Sequence, residues 1–505
     1  MNISYRQSTK NAVRHKVLKR AVELLTAQRS AACCVRSSYV RDLYDYFKDL
    51  DESHEREEAS KIDPEYIREW ERLHSDNIGY KRPSELSVCY LSGPEPENDF
   101  NELVSLGILP QNIWAFECEK QTYLQALQSI DSTDYRQPKL LKTSIERFFE
   151  NTPKKFDIVY IDACAPLVSD QHALRCIASM FKYQRLNSPG VLISNFAEVD
   201  SSNPILLNEY TDMVTRYIYT KKYRNSMLIS DNTKVRYHEG FTGQREAVAN
   251  HFDHYYGDFI TSMICNTGSI VVPTLRIVNS TYMQSLATAP TANYRFEFAD
   301  INTIKDNTLY KYFATNTFLQ GKRSDFTGIS RTCKLLSEMS PGNNSIDFIA
   351  ASKKIIDIKR SDVDLKSNIL EAVRFFDDRK NMYQFLDAPN RVLFFDSAIN
   401  QLAYPMHYCT DLSLRLTYKA KQTRMFTDLI VFDECRYVYD WLPAIHQIPN
   451  AFKNPSWQYT YRFALDGLIK QRMNYNNEFF FQGSVIQKNT EGFEAKLFSE
   501  RIAVD

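Results

Sequence analysis

The chain has 505 residues, which is too long for one ordinary hydrophobic core, so two or three domains are expected. Its 43% hydrophobic content excludes a disordered chain, and its 62 basic and 62 acidic residues balance, which excludes a global field that attracts nucleic acid or an anionic membrane. The ten cysteines form no CxxC pair and no apolar run approaches the roughly 18 residues of a membrane span, so we predict a reduced, cytoplasmic protein without membrane contact.

The first 80 residues are predicted to form a helical N-terminal segment, in which residues 9–30 have the pattern of an amphipathic helix. Its apolar stripe consists of Val13, Val17, Ala21, Leu24 and Leu25. The basic residues that lie largely off this stripe are Lys10, Arg14, Lys16, Lys19 and Arg20. Such a helix either contacts the phosphate backbone of a nucleic acid or docks on its apolar stripe with a solvated basic face.

Residues 81–290 alternate between short apolar runs and helical stretches. The runs "LSVCYLS", "NIWAFE", "PKLLKTS", "FDIVYIDA" and "GVLISNF" leave room for one helix between each pair, which is typical of a parallel sheet. Two later runs, "FITSMIC" and "GSIVVPTLRIV", are predicted to close the sheet as further strands. We therefore predict an α/β fold with a doubly wound, mostly parallel Rossmann-like sheet, a helical N-terminal extension and a second α/β domain over residues 291–505.

The turn after the first predicted strand reads Ser92-Gly93-Pro94-Glu95-Pro96-Glu97, in which Gly93 alone permits close backbone approach. Two prolines remove amide donors and the acids would repel phosphate, so the turn disfavours NAD or ATP. A ligand with sulfonium and ammonium groups, such as S-adenosylmethionine, tolerates these carboxylates. Alternatively, the acids only favour the positive end of the following helix.

Polar residues also follow the next three strands. Glu117 ends the second strand, 24 residues after Gly93, where an acid can accept both hydrogen bonds from a ribose diol. Ser144 follows the third strand and Asp162 ends the fourth. Because ligands of such sheets bind outside the carboxyl ends of the strands, these residues are expected to line one site.

This stretch, roughly residues 84–200, resembles the class I S-adenosylmethionine-dependent methyltransferases in strand order and in the placement of Gly93, Glu117, Ser144 and Asp162. The resemblance implies that the first turn, with Ser92, Gly93 and Pro94, cradles the methionine part of the cofactor. It also implies that Glu117 holds the ribose, that Ser144 lies beside the adenine, and that the fourth strand end faces the methyl acceptor. Asp162 would there accept a proton or orient an amine.

The resemblance leaves the activity open between two readings. The first is methyl transfer to a macromolecule, a nucleic acid or a protein, which the C-terminal domain would recognise. The first turn, however, has one glycine where the family usually has two or three, and the third strand lacks the usual acid near Ser144. The second reading is therefore a catalytically silent scaffold that keeps the fold for assembly.

A second predicted site lies in the C-terminal domain. The segment "SIDFIAASKKIIDIK" reads as two strands, with Asp357 and Lys359 on one face and Asp347 on the partner strand. This arrangement resembles that of restriction-endonuclease-like nucleases, and it could hold a divalent metal that activates water for phosphodiester cleavage. Metal-dependent nucleic-acid cleavage is thus a third hypothesis.

Overall fold

A computed structural model of the chain describes residues 8–49, 54–131, 139–169, 173–219, 240–273, 276, 403–441 and 498–504. The helices, labelled in chain order, are α1 (Ser8–Leu25), α2 (Tyr39–Asp49), α3 (His54–Ala59), α4 (Pro64–Ile78), α5 (Glu97–Ser105), α6 (Lys120–Asp131), α7 (Ile145–Asn151), α8 (Ala173–Lys182), α9 (Pro204–Tyr219), α10 (Gly240–Asn250), α11 (Phe252–Asn266) and α12 (Arg436–Tyr439). The strands are β1 (Val88–Leu91), β2 (Ile113–Glu117), β3 (Lys139–Lys142), β4 (Phe156–Asp162), β5 (Leu186–Ala197), β6 (His407–Ala420), β7 (Thr423–Asp433) and β8 (Ile502–Val504). Short 3₁₀ turns lie at Arg29–Ala31, Pro83–Glu85 and Pro110–Asn112, and a π-helical turn spans Thr267–Val271.

One mixed sheet organises the described residues, with the strand order β3-β2-β1-β4-β5-β7-β6-β8. The strands β1 to β5 are all parallel, and β1 lies at the centre of this half between β2 and β4. The strands β1 to β4 lie within the apolar runs that predict them, and β5 contains the fifth run and extends beyond it at both ends. Short buried runs separated by helix-length segments have few other ways to satisfy their backbone groups. The prediction of a mostly parallel α/β sheet is confirmed.

The other half of the sheet comes from the C-terminal part of the chain. β7 pairs antiparallel with β5, from Gly190 opposite Phe432 to Ala197 opposite Met425. β6 forms an antiparallel hairpin with β7, and β8 adds to β6 in parallel. β7 contains the apolar run "DLIVFD". The division expected at residue 290 would put these strands into a separate domain, whereas the structure puts them into the first sheet.

Two runs that were expected to close the sheet are helical instead. "FITSMIC" lies in α11, and "GSIVV" continues it through the π-helical turn. α11 is buried continuously from Tyr255 to Asn266, so it has no exposed face and its periodicity does not distinguish a helix from a buried strand. No helix of the described residues combines the length and the hydropathy that crossing a membrane requires.

Helices cover both faces of the sheet, and an apolar core fills each face. Val88 and Tyr90 of β1 point to the core that includes Trp70 of α4, while Cys89 between them points to the core that includes Phe181 of α8. This alternation follows from the two-residue repeat of a strand. The carboxyl ends of β1 to β4 are thus held between two layers of helices.

The described part of the N-terminal segment is helical, and α1 lies on the sheet. It packs against β5, β6 and α5. The predicted apolar stripe, which includes Val13, Val17 and Ala21, is buried. This docking brings the first turns of α1 to the carboxyl end of β4, where Lys10 meets Asp162.

Candidate functional site

A cavity of about 720 Å³ opens at the carboxyl ends of the parallel strands. This volume lies in the range of small-molecule and cofactor sites, roughly 300 to 1,000 Å³. The turns after β1, β2 and β4, the start of α7, the start of α8 and the first turns of α1 all contribute to its wall. The cavity therefore lies where a parallel sheet is expected to bind a ligand.

All six residues that the sequence predicts for the cofactor and catalytic site line this one cavity: Ser92, Gly93, Pro94, Glu117, Ser144 and Asp162. They come from four segments of the chain that are separated by whole helices. Their convergence follows from the parallel arrangement of β1 to β4, which brings the four carboxyl ends to one edge. Their individual roles remain predictions.

The first turn is held open by its glycine. Gly93 adopts a left-handed conformation with φ of 58°, and a Cβ atom placed on it would meet nothing within 4 Å, so the backbone there faces free space. The Ser92 amide donates to the Phe116 carbonyl oxygen over 3.0 Å, which ties the turn to the end of β2. The Tyr90 hydroxyl donates to the Pro96 carbonyl oxygen over 2.8 Å. The turn is therefore fixed on both sides of an open position.

Glu117 and Ser144 are oriented by the backbone of their own turns. The Glu119 amide donates to Glu117 Oε1 over 2.8 Å, which fixes the carboxylate at the end of β2. Ser144 caps the N-terminus of α7, because its Oγ accepts a hydrogen bond from the Arg147 amide. Both side chains are thus presented at the cavity wall by local hydrogen bonds.

Asp162 is bound on both oxygens by the protein itself. Lys10 Nζ of α1 lies 2.9 Å from Oδ2, and Asn195 Nδ2 of β5 donates to Oδ1 over 2.7 Å. Burial alone would lower the pKa of Lys10, but the adjacent Asp162 carboxylate raises this pKa above its ordinary value. Burial and the same carboxylate raise the pKa of Tyr418 to about 12, and the Tyr418 hydroxyl accepts from Asn195 over 3.1 Å. The raised pKa keeps Lys10 a cation at neutral pH, in contact with Asp162.

A second buried ion pair shows what one of the acids after the first turn binds. Arg14 Nε of α1 donates to Asp99 Oδ1 over 2.7 Å, and both residues are buried. Burial raises the pKa of Asp99 to about 6, against the lowering effect of Arg14. Asp99 of the "EPENDF" segment therefore binds a helix of the same chain. Glu95 of that segment accepts from the Asn98 side chain and lines the cavity.

The prediction that Lys10 and Arg14 lie off the buried stripe of α1 is wrong. Both side chains point inward, because positions 10, 14, 17 and 21 follow the repeat of one helix face. That repeat is the signal in the sequence that would have identified them. The remaining lysines at positions 16 and 19 are exposed, and contact of this face with nucleic acid stays a prediction.

Acidic residues outnumber basic residues on the cavity wall by six to three. The acidic ones are Glu95, Asp99, Glu117, Glu119, Glu146 and Asp162, and the basic ones are Lys10, Arg14 and Arg175. Lys10 and Arg14 pair with Asp162 and Asp99, while Arg175 donates to Glu146 over 2.7 Å. The three remaining carboxylates leave a negative excess, which favours a cationic ligand.

A second cavity of about 620 Å³ is lined by Tyr418 of β6. Its charged wall residues are Asp253, Lys419, Arg424 and Arg501, of which Arg424 pairs with Asp253 and Arg501 with Asp428. Thr9 lines this cavity and the adjacent Lys10 lines the first one, so the start of α1 separates the two. The second cavity therefore adjoins the first, and basic residues outnumber acidic ones on its wall by three to one.

The predicted nuclease residues Asp347, Asp357 and Lys359 lie outside the described residues, and so does most of the expected C-terminal domain. Metal-dependent cleavage at this hairpin stays a prediction. Nicking of DNA or RNA in the presence of manganese that survives Glu117→Ala but not Asp357→Ala would support it.

We compared the chain with models of protein families and with curated proteins. Neither the family models nor the curated proteins include a match to this chain. The interpretation of the cavity therefore rests on its own residues.

Proposed function

We propose that this chain binds S-adenosylmethionine in the cavity at the strand ends and transfers its methyl group to a macromolecular acceptor. The observation that carries the proposal is the convergence of Gly93, Glu117, Ser144 and Asp162, each from a different strand end, on one cavity with a negative excess. A cofactor with sulfonium and ammonium groups fits that charge, and the volume suits a nucleoside of this size.

The sheet topology supports the proposal. The order β3-β2-β1-β4-β5 is that of doubly wound sheets, in which the ligand lies at the point where the order reverses beside β1. The antiparallel β7 between β5 and β6 departs from the dinucleotide-binding sheet.

Each wall residue has a chemical task in this proposal. The open turn at Gly93, with Ser92 and Pro94, would hold the methionine part, since no side chain fills the space beside Gly93. Glu117 Oε2 would accept from the ribose hydroxyls, because Oε1 is already bonded to the Glu119 amide. Ser144 would border the base. When bound, the cofactor supplies an activated methyl group.

Asp162 is better suited to orienting an acceptor than to taking its proton. Both of its oxygens already accept hydrogen bonds, one of them from the cation of Lys10, so neither oxygen is open to take a proton from an acceptor. Catalysis would then depend on positioning the acceptor and on excluding water. The adjacent basic cavity is the proposed entry for an extended, anionic part of a macromolecule. A reducing compartment such as the cytoplasm fits the free cysteines of the described residues.

One observation favours the catalytically silent alternative. Lys10 and Arg14 bring two positive charges of the chain itself into the acidic cavity, where they neutralise Asp162 and Asp99. In a scaffold protein these ion pairs would hold α1 on the sheet and would have no role in binding a ligand. The two functions differ in whether the remaining space binds the cofactor.

Isothermal titration calorimetry with S-adenosylmethionine tests the proposal on three proteins: the parent, Glu117→Ala and the matched control Glu69→Ala, whose exposed side chain lies outside the cavity wall. We expect heat from the parent and from the control, and at least a tenfold weaker affinity for Glu117→Ala, because a buried hydrogen bond to the ribose is lost. The absence of heat from the parent would support the scaffold. Equal affinities of parent and Glu117→Ala would show that Glu117 does not hold the ribose.

A further inference from the structure

Three cysteine side chains and one carboxylate gather far from the cavity, at the other end of β7. Cys34 follows the 3₁₀ turn Arg29–Ala31, Cys409 lies in β6, Asp433 ends β7 and Cys435 precedes α12. The exposed fraction of each residue is 7% or less. The cluster therefore joins the N-terminal segment to two neighbouring strands inside the core.

The ligand atoms of this cluster are close to one another. Sγ of Cys34 lies 3.4 Å from Sγ of Cys409. Sγ of Cys34, Sγ of Cys435 and a carboxylate oxygen of Asp433 all lie within 4.8 Å of one another. In a tetrahedral zinc site with Zn–S bonds of about 2.3 Å, the sulfurs are roughly 3.8 Å apart. The spacing of the Cys34, Cys435 and Asp433 atoms suits ligands of a single ion, and Cys409 lies beside Cys34 as a fourth candidate.

Asp433 is buried and forms hydrogen bonds with neutral donors. Oδ2 accepts from the Cys34 amide over 3.0 Å and from the Tyr437 hydroxyl over 2.6 Å, and Oδ1 accepts from the Cys435 amide over 2.8 Å and from the Ser188 hydroxyl over 3.1 Å. The buried Arg29 interacts with this carboxylate electrostatically. Among the ion pairs of the described ranges, none joins Asp433 to a lysine or arginine. A buried charge normally pairs with a cation or coordinates a metal.

The backbone at Cys435 is also unusual. Its φ of 49° is left-handed, a conformation that glycine adopts without cost and other residues rarely adopt. A cysteine in this conformation brings its Sγ to 3.5 Å from Asp433 Oδ2. Strained residues of this kind concentrate at functional sites.

We propose that Cys34, Cys409, Cys435 and Asp433 bind one zinc ion as a closed structural site. Three sulfurs and one oxygen supply the four ligands of tetrahedral zinc, and the ion places a cation in direct contact with Asp433. A disulfide between Cys34 and Cys409 would use only two sulfurs and would not involve Cys435 or Asp433. The ion would fasten the N-terminal segment, which carries α1, to β6 and β7.

The metal content of the full chain tests this proposal. We expect about one zinc per chain after purification without added chelator, measured by mass spectrometry of the metal. Replacement by cobalt should produce the intense near-ultraviolet bands of thiolate-to-cobalt charge transfer and the visible bands of a tetrahedral ion. Cys34→Ser should lose at least nine tenths of the bound metal. The matched control Cys265→Ser, a buried cysteine of α11, should keep it.

A parent chain without bound zinc and without cobalt bands overturns the proposal, and so does a Cys34→Ser variant that keeps the metal. Peptide mapping that finds a Cys34–Cys409 disulfide in the purified parent would also overturn it. If Cys34→Ser fails to fold, the parent decides the question alone. Its cysteines at 34, 409 and 435 should resist alkylation while zinc is bound and should react after chelation, whereas Cys118, which is exposed, should react in both states.

Discussion

Asp99 is the residue that most directly links the candidate site to pH. Its carboxyl group is buried beside Arg14 of α1, and burial raises its pKa from 3.8 to about 6. A pKa that is higher in the folded chain means that the folded chain holds this proton more tightly than the unfolded chain. The contribution of Asp99 to stability is therefore fully present below pH 3.8 and is lost as the pH rises through about 6.

We predict that Asp99→Asn removes this pH dependence. Between pH 3.8 and about 6 the free energy of unfolding of the parent should fall relative to that of Asp99→Asn, by about 3 kcal/mol at most. Chemical denaturation of both proteins at several pH values gives the difference. The control Asp76→Asn, at an exposed position of α4, should follow the parent. A constant difference between the parent and Asp99→Asn would contradict the assigned shift.

The sequence could predict the site residues that lie at strand ends, but not those that a distant segment brings to the site. Gly93, Glu117 and Asp162 could be predicted because each follows a strand, and the ends of parallel strands share an edge. The pairing of Arg14 with Asp99 spans 85 residues and depends on how α1 docks, which no local pattern describes. The cysteine cluster was missed for the same reason, since Cys34 and Cys409 are 375 residues apart.

At the scale of elements, α11 is held to the hairpin of β6 and β7 by buried charges. Arg415 of β6 donates to Asp258 of α11, and Arg501, next to β8, lies 2.6 Å from Asp428 of β7. Burial raises the pKa of Asp258, while Arg415 opposes that effect. Removing one partner would leave the other charge buried and uncompensated.

A double-mutant cycle tests this arrangement. We predict that Arg415→Met lowers the free energy of unfolding by about 3 to 5 kcal/mol, because it removes the buried arginine that donates directly to Asp258. The double variant Asp258→Asn with Arg415→Met should recover part of this loss, since no charge then remains at the contact. Denaturant titration measures all four proteins of the cycle. Additive losses of the two single variants would show that the two side chains do not interact.

Some of these elements could be predicted from the sequence and others could not. The five parallel strands could be predicted because each is a short apolar run between helix-length segments. α11 could not be distinguished from a strand, since residues 255–266 are buried on all sides and carry no amphipathic repeat. The membership of β7 in the first sheet could not be predicted either, because it pairs with β5 across more than 200 residues, as Gly190 with Phe432 shows.

At the scale of the whole molecule, one sheet joins the N-terminal half of the chain to its C-terminal part. β5 is a central strand because β7 covers one of its edges, from Gly190 to Ala197. Its side chains there are almost all buried. Without β7 this edge would present unpaired backbone groups beside apolar side chains, which favours association with other chains.

We predict that a chain that ends at residue 400 forms soluble aggregates or precipitates, whereas the full chain does not. The reason is the uncovered edge of β5, together with the loss of Arg415 and Arg501 as partners of α11. Size-exclusion chromatography with light scattering distinguishes the outcomes. Coexpression of residues 401–505 as a second chain should restore part of the monomeric form. A monodisperse, monomeric truncated chain would contradict the prediction.

The pairing of β5 with β7 also has a consequence for how the protein is made. β5 ends at Ala197 and β7 begins at Thr423, so a ribosome that adds about 5 to 20 residues per second needs roughly 10 to 45 seconds to deliver the partner strand. During that interval the backbone groups along one edge of β5 have no partner strand in the nascent polypeptide. Efficient biosynthesis therefore requires a chaperone, or slow collapse of the emerging chain, to shield β5 until β7 has been synthesised.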